Sequence, residues 1–187
     1  MIYYISDLHL GHFNIINMCD RPYSDIEQMN EDLINKWNNR VKKNDIIYFL
    51  GDFSMKLSNE KSLEYLKRLN GIKYFIKGNH DKNSFLEEAK RQSLIKDYFD
   101  YKEINDNGRF VILCHYPLVS WNGMYRNSYH LYGHVHQNII EPTPRRYCAC
   151  VEVNDYEPKT LDELIIAQGD PDKIYRIYSK GKFLDEK

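Results

Sequence analysis

The sequence lacks a long apolar run, and it lacks an excess of charge of either sign. No stretch approaches the roughly 18 to 20 consecutive apolar residues that a membrane-spanning helix needs, so we expect no membrane contact. The 26 Lys and Arg residues nearly balance the 27 Asp and Glu residues, which leaves a formal net charge of −1. Bulk charge therefore gives no support for binding to nucleic acid or to an anionic membrane.

The cysteines show none of the common zinc-binding or secretory patterns. The four cysteines include no C-x-x-C pair, and the chain begins on an apolar segment without the features of a secretory leader. We therefore expect a cytoplasmic protein with reduced thiols. Cys148 and Cys150 alternate along a segment that we predict to be a strand, which favours two small buried side chains on one face. A redox or metal-binding pair is the alternative for these two residues.

The first half of the sequence alternates apolar runs with amphipathic segments. Its 187 residues fit one domain over residues 1–187, since neither a repeat nor a linker divides them. Predicted strands cover residues 2–5, 46–50 and 72–76, and predicted helices cover 14–18, 26–41, 58–70 and 84–91. This order is typical of a parallel sheet covered by helices.

The second half has a different pattern. A hairpin is predicted from residues 98–104 and 109–114, with its turn at residues 105–108. Further short strands are predicted over 130–132, 148–153 and 174–178, and a short helix over 160–167. We therefore expect an α/β fold with a second, mainly stranded half.

Residues that commonly bind metals follow five of the apolar runs. In chain order these residues are Asp7 and His9, then Asp52, then Asn79, His80 and Asp81, then His115, and finally His134 and His136. One histidine after a strand is usually an ordinary loop residue, so each motif alone is a weak signal. The carboxyl ends of parallel strands, however, meet at one edge of a sheet. Five such endings therefore predict one joint metal site at that edge.

The chemistry of these side chains indicates which ions would bind. Imidazole, carboxylate and one amide, with no thiolate required, favour manganese, iron, zinc, cobalt or nickel over calcium. Seven candidate ligands are too many for one ion, and they suit two ions that share a bridging carboxylate, which we expect to be Asp52. Two metal ions roughly 3.5 to 4 Å apart can bind phosphoryl oxygens and activate water for attack at phosphorus.

The motifs resemble those of the calcineurin-like metallophosphoesterase superfamily. Asp7-x-His9, Gly51-Asp52, Gly78-Asn79-His80-Asp81, His115 and Gly133-His134-x-His136 occur in order up to about residue 136. The compact length, together with Arg21-Pro22 after the first motif and Asn154-x-Tyr156 near the end, resembles the small single-domain members of the superfamily that occur in bacteria and phages. The resemblance implies a four-layer αββα sandwich with mixed β-sheets flanked by helices, and it implies a metal-dependent phosphoric ester hydrolase.

The resemblance also implies a role for each motif residue. Asp7, His9 and His136 would bind one ion, Asn79, His115 and His134 would bind the other, and Asp52 would bridge them. The catalytic His80 would face the phosphate, as general acid to the leaving oxygen or as a stabiliser of charge, and Asp81 would orient it. Two divalent or trivalent transition-metal ions would thus support direct attack of metal-bound hydroxide on a phosphomono- or phosphodiester.

The phosphate-binding arginine of the superfamily's protein phosphatases is absent. Those enzymes carry an Asp-Arg pair shortly after the Gly-Asp motif, whereas here residues 53–56 read Phe-Ser-Met-Lys. Arg21 is a candidate replacement, because a guanidinium suits bidentate phosphate contact, and a surface or capping arginine is the alternative. His12 either contacts substrate or is a loop histidine. Trp121 and Tyr125 either line a substrate pocket or simply pack, and His130 is expected to be structural.

Three functions are compatible with the sequence. The first is a phosphoesterase that acts on a small phosphodiester or nucleotide. The second is a non-catalytic scaffold of the same fold, which the complete set of ligands and His80 disfavours. The third is a metal-dependent nuclease, which the balanced charge and the lack of a basic, aromatic-rich stretch disfavour. The sequence indicates no oligomeric state.

Overall fold

Two four-stranded sheets pack face to face in the computed structural model, which describes residues 1–138 and 143–169. The first sheet contains β1 (Ile2–Ile5), β2 (Ile46–Phe49), β3 (Ile72–Ile76) and β4 (Asp97–Phe99), all parallel and in that order. The second sheet contains β5 (Tyr101–Asp106), β6 (Arg109–Cys114), β7 (Tyr129–Tyr132) and β8 (Arg146–Cys148). In this second sheet β5 and β6 form the predicted antiparallel hairpin, and β6, β7 and β8 are parallel. The predicted α/β sandwich of two sheets flanked by helices is confirmed.

Five α-helices accompany the sheets in the described part of the chain. They are α1 (Asn14–Met18), α2 (Ile26–Arg40), α3 (Asn59–Lys67), α4 (Asn83–Arg91) and α5 (Leu161–Gln168). Side chains cap three of them: Asp25 caps α2, Ser58 caps α3, and Thr160 with Glu163 forms a capping box on α5. Among the described residues, no helix combines the length and apolarity needed to cross a membrane.

The first sheet is buried on both faces. Tyr3 and Ile5 of β1 lie in the core formed with α1 to α4, whereas Tyr4 between them lies in the core between the two sheets. Leu161 and Leu164 of α5 join this second core. A parallel strand that is covered on both faces reads as a continuous apolar run, which is the pattern seen in the sequence.

The predicted strand over 98–104 is in fact two strands in different sheets. β4 ends at Phe99 and pairs with β3, whereas β5 begins at Tyr101 and pairs with β6. The exposed Asp100 joins the two sheets. The residue pattern shows that both segments are extended, but it does not show that their pairing partners change.

The predicted strand over 148–153 was also wrong in part. β8 ends at Cys148, and a 3₁₀ turn covers Val151–Val153. Asn154 donates from Nδ2 to the carbonyls of Cys148 (3.0 Å) and Cys150 (2.8 Å), which holds the chain in a turn despite its strand-favouring valines. Both cysteines are reduced and buried in one small cluster, as expected. The strand predicted over 174–178 lies outside the described residues.

Candidate metal centre

The carboxyl ends of five strands meet at one edge of the sandwich. Backbone hydrogen bonds join the loops that follow them: the Asp7 N–H donates to the Gly51 carbonyl (2.9 Å), and the His9 N–H donates to the Asp52 carbonyl (3.0 Å). The Gly133 N–H donates to the His115 carbonyl (2.9 Å), which joins the ends of β6 and β7. The structure therefore brings all five motifs together, as the strand order predicted.

Asp7, His9 and His136 form one cluster of potential ligand atoms. Oδ1 of Asp7 lies 3.7 Å from Nε2 of His9 and 4.0 Å from Nε2 of His136. Oδ1 of Asp7 and Nε2 of His9 are buried without a hydrogen-bond partner in the described chain. Burial alone would raise the pKa of Asp7, but the nearby imidazoles of His9, His115 and His136 lower it below its usual value. A carboxylate oxygen and an imidazole nitrogen that are buried without hydrogen-bond partners fit a metal ion.

A second cluster contains Asn79, His115 and His134 with Asp52. Oδ1 of Asn79 lies 2.9 Å from Nε2 of His115 and 2.9 Å from Nδ1 of His134. Nδ1 of His115 bonds to the carbonyl of Leu50 at 2.7 Å, so this nitrogen carries the proton. The Nε2 lone pair is then available to an ion beside Asn79 and His134.

Asp52 lies between the two clusters. Its Oδ2 is 3.6 Å from Nε2 of His9 and 3.6 Å from Nε2 of His115. Its Oδ1 accepts the backbone N–H of His80 at 2.9 Å, which fixes the carboxylate. One oxygen therefore faces a ligand atom of each cluster, and the nitrogen and oxygen donors present fit two ions with a shared carboxylate.

Most of the predicted ligands have a left-handed backbone. Positive φ angles occur at five of the seven: Asp7 (59°), His9 (51°), Asp52 (61°), His134 (73°) and His136 (53°). Residues other than glycine rarely adopt this conformation, which is of order 1 kcal/mol less favourable and occurs preferentially at functional sites. The surrounding hydrogen bonds hold these side chains toward one another.

The sequence matches the family model described as calcineurin-like phosphoesterase over residues 1–147. The chain belongs to the calcineurin-like phosphoesterase family. It is 38% identical to the uncharacterized protein MJ1445 of Methanocaldococcus jannaschii over 94% of each chain. It is 28% identical to the gene 66 protein of Mycobacterium phage D29, over 76% of this chain and 81% of that one.

A solved structure supports the same fold. The protein of unknown function AQ665 from Aquifex aeolicus superposes with a TM-score of 0.67 at 28% identity. The superposition covers 87% of this chain and 96% of that chain. Most of the fold of this chain therefore occurs in that protein, of which nearly the full length is matched.

His80 and Asp81 occupy different positions relative to the two clusters of potential ligands. The exposed His80 ring lies 5.5 Å from the His9 ring between centroids, on the open side of the ligands. Asp81 is buried, and its carboxylate accepts the backbone N–H groups of Asp52 (2.9 Å), Phe53 (3.0 Å) and Gly78 (2.9 Å). Asp81 therefore holds the loops after β2 and β3 together, and it influences His80 through the backbone.

Arg21 does not lie where a substrate phosphate would bind. Its side chain is fully buried, and its guanidinium donates to the carbonyls of Asp7 (2.7 Å) and Leu8 (2.8 Å). It also pairs with Glu152, with Nη2 at 2.5 Å from Oε1. The sequence-based expectation of a phosphate-binding arginine is therefore corrected: Arg21 supports the loop that carries Asp7 from behind.

Glu152 was not suggested by the sequence, and Cys150 was suggested only as part of a possible redox or metal-binding pair with Cys148, not as a partner of Asp7. Oε1 of Glu152 lies 2.8 Å from Nδ1 of His136, which turns Nε2 of that ring toward Asp7. The Cys150 thiol donates to Oδ2 of Asp7 at 3.2 Å, and burial raises the pKa of this thiol so that it stays protonated. No local motif marks either residue, because each acts on a ligand far away in sequence.

The remaining sequence candidates fall into buried and exposed groups. His12 is buried against His9, with ring centroids 5.6 Å apart, and burial lowers the pKa of His12 to about 4. Trp121 is buried and donates to Ser128 Oγ at 3.0 Å, which indicates packing, whereas Tyr125 is exposed.

His130 is structural, as expected. It is fully buried, and its Nε2 accepts the N–H of Leu118 at 3.0 Å while Nδ1 bonds to the carbonyl of Ile112 at 3.2 Å. Sequence reasoning did not include Tyr116 among the site residues. This half-exposed side chain lies beside the second cluster, with its ring 4.8 Å from that of His134, and its position directly after His115 could have indicated this.

Proposed function

We propose that this chain is a two-metal phosphoesterase that hydrolyses phosphomono- or phosphodiester bonds in a small substrate. The observation that carries the proposal is the position of Asp52, with one oxygen 3.6 Å from a histidine nitrogen of each cluster. A carboxylate placed in this way suits two neighbouring ions, which is the arrangement that supports in-line displacement at phosphorus. A small ester is favoured over nucleic acid because the formal net charge is −1.

The seven predicted ligands would be shared between the two ions. Asp7, His9 and His136 would hold one ion, Asn79, His115 and His134 would hold the other, and Asp52 would contact both. When bound, the ions would act as Lewis acids that polarise the phosphate and lower the pKa of water to about 7.

The His80 ring would supply the proton. It is exposed beside His9, and the bond from its own N–H to Asp52 fixes its backbone. Water loses a proton to solvent and bonds to phosphorus as hydroxide, while the P–O bond to the leaving group breaks and its electron pair goes to the departing oxygen. The His80 ring would donate a proton to that oxygen and regain one from solvent. No covalent bond between enzyme and phosphate is needed.

The direct test is metal removal and replacement. The protein is stripped with a chelator, and manganese, zinc, iron, nickel, cobalt or magnesium is added back. Hydrolysis of a chromogenic phosphomonoester and of the matching phosphodiester is then measured. Metal-dependent hydrolysis of either ester is expected, and the ratio of the two rates defines the preference. Two bound ions with no hydrolysis of either ester would contradict the proposal and favour the scaffold function.

A pair of variants tests the position of the ions. Asp52→Asn is expected to lose at least one bound ion and nearly all turnover, because the amide cannot supply the bridging negative charge. Asp155→Asn is the matched control, since the side chain of Asp155 is 85% exposed and lies outside both clusters. Full turnover by Asp52→Asn would exclude a role for this carboxylate.

A further inference from the structure

A cavity of about 240 Å³ opens beside His80. Its lining includes Lys56 and Leu57 from the loop after β2, and Lys82 and Phe85 from the start of α4. None of the seven predicted metal ligands lines it. The cavity is therefore a space next to the metal centre, and His80 forms part of the wall between them.

The charge of the lining favours an anion. Lys56 and Lys82 are both exposed, and neither forms an ion pair with an acidic residue of the described chain. Asp81 is the one acidic residue of the lining, and its oxygens already accept three backbone N–H groups. The lining therefore carries two lysines without an ion-pair partner in the described chain, and one carboxylate whose oxygens are occupied by backbone N–H groups.

The N-terminus of α4 adds to this positive potential, whereas that of α3 is capped by Ser58 and carries Glu60 in its first turn. α3 begins at Asn59 and α4 begins at Asn83, and Nδ2 of Asn59 joins these ends by donating to Ser84 Oγ at 3.0 Å. The start of α4, which follows Lys82, has neither a side-chain cap nor an acidic residue in its first turn. The N-terminus of a helix carries partial positive charge and attracts anions.

The backbone of Lys56 is held in a rare conformation. Its φ of 60° is in the left-handed region, where glycine or asparagine would be less strained. The loop is fixed just before it, because the Met55 N–H donates to the carbonyl of Leu10 at 3.0 Å. Backbone strain of this kind is frequent at ligand-binding sites.

The size of the cavity limits its occupant. Pockets that hold a whole small ligand measure about 300 to 1,000 Å³, so this smaller cavity has room for part of a substrate. Leu57 and Phe85 give it an apolar wall that suits a ring or a short carbon chain. Because His80 would donate its proton to the departing oxygen, the part of the substrate nearest to this cavity is the leaving group.

We propose that this cavity binds the leaving group of the substrate and selects leaving groups that carry a negative charge, such as a carboxylate or a second phosphate. Lys56 and Lys82 bind the charge, and Leu57 and Phe85 contact the carbon skeleton. This inference rests on the proposed phosphoesterase function and defines its substrate class.

The test compares neutral and charged leaving groups. Phenyl and 4-carboxyphenyl esters are prepared as phosphomonoesters and as methyl phosphodiesters, and kcat/KM is measured with the metal-loaded protein. The wild-type protein is expected to prefer the 4-carboxyphenyl ester. Lys56→Gln and Lys82→Gln are each expected to lower the charged-to-neutral ratio of kcat/KM about fivefold, the size of one partly exposed ion pair.

Lys67→Gln is the matched control. Lys67 is an exposed lysine on α3 outside the cavity, and its replacement should leave the ratio unchanged. A ratio that stays at the wild-type value in both cavity variants would overturn the proposal.

A binding measurement separates this inference from the proposed function. Binding of 4-hydroxybenzoate and of phenol is followed by NMR for the wild type and both cavity variants. If no ester is hydrolysed but 4-hydroxybenzoate binds in a lysine-dependent manner, the phosphoesterase function fails and the anion-binding cavity stands. Equal binding of 4-hydroxybenzoate by wild type and both variants would refute the cavity assignment, whatever the hydrolysis assay gives.

Discussion

Replacing Glu152 by glutamine should weaken both the fold and one half of the metal centre. Oε1 of Glu152 accepts from Arg21 at Nε (3.0 Å) and Nη2 (2.5 Å), and it lies 2.8 Å from Nδ1 of His136. The side chains of Arg21 and Glu152 are 0% and 2% exposed. Removing one charge of a buried pair typically costs about 3 to 5 kcal/mol, because the other charge stays in the interior uncompensated. We expect a loss of this size in the free energy of unfolding.

The effect on metal binding is a separate quantity. Loss of a carboxylate that orients a histidine ligand typically lowers metal affinity roughly 10- to 100-fold. We therefore expect the cluster of Asp7, His9 and His136 to bind its ion more weakly by this factor. The cluster around Asn79 should keep its affinity, since Glu152 contacts none of its members in the described chain.

Two assays on the same variants separate these effects. Urea unfolding in the presence of chelator gives the free energy of the metal-free protein, and metal titration gives the two affinities. Glu157→Gln is the control, because Glu157 pairs with Arg40 and Lys159 at the surface, with 26% of its side chain exposed. That change should cost no more than about 1 kcal/mol. If Glu152→Gln lost stability but bound both ions with wild-type affinity, Glu152 would be structural only and the orientation argument would be refuted.

Three further changes test other contacts. Gly133→Ala should lower the count of bound ions from two to one by mass spectrometry, because a Cβ at this position would lie 2.5 Å from Oδ2 of Asp7. His80→Ala should keep both ions but lose roughly 10²- to 10⁴-fold in kcat, and an empty metal site would contradict its role as an acid. Burial lowers the pKa of His130 to about 4, so its contribution to stability is complete above pH 6.5 and is lost as the pH falls toward 4. The difference between the usual pKa of histidine and the pKa of His130 in the fold corresponds to about 3 kcal/mol of stability. In the presence of chelator, the free energy of unfolding in urea should therefore depend more steeply on pH between 6.5 and 4 for the wild type than for His130→Gln.

The clustering of the candidate ligands could be predicted because each of them lies within a few residues of the end of a strand. Asp52 is an example: the apolar run and the Gly-Asp turn locate it, and one rule of sheet topology brings it beside His9 and His115. The point at which β4 ends and β5 begins could not be predicted in the same way. Local residue patterns indicate extended backbone, whereas the change of sheet at Asp100 depends on distant pairing partners.

The residues that support the ligands were also beyond local patterns. Arg21 and Glu152 are 131 residues apart, and each would be an ordinary surface residue without the other. The family resemblance implied that Asp81 orients His80, whereas in the structure its carboxylate accepts three backbone N–H groups. Short side chains next to a turn often bond to the backbone, and which amides they reach is decided by the tertiary fold.

The left-handed backbone at five predicted ligands sets a trade-off between stability and activity. At about 1 kcal/mol each, these conformations together remove about 5 kcal/mol, which is comparable to the whole net stability of a small domain. Glycine at such a position would relax the backbone and delete a ligand at the same time. Selection for stability alone would therefore favour glycine at these positions, which would give a more stable fold without the metal ligands. Aspartate and histidine would be kept at these positions only by selection for activity, because they make the fold less stable.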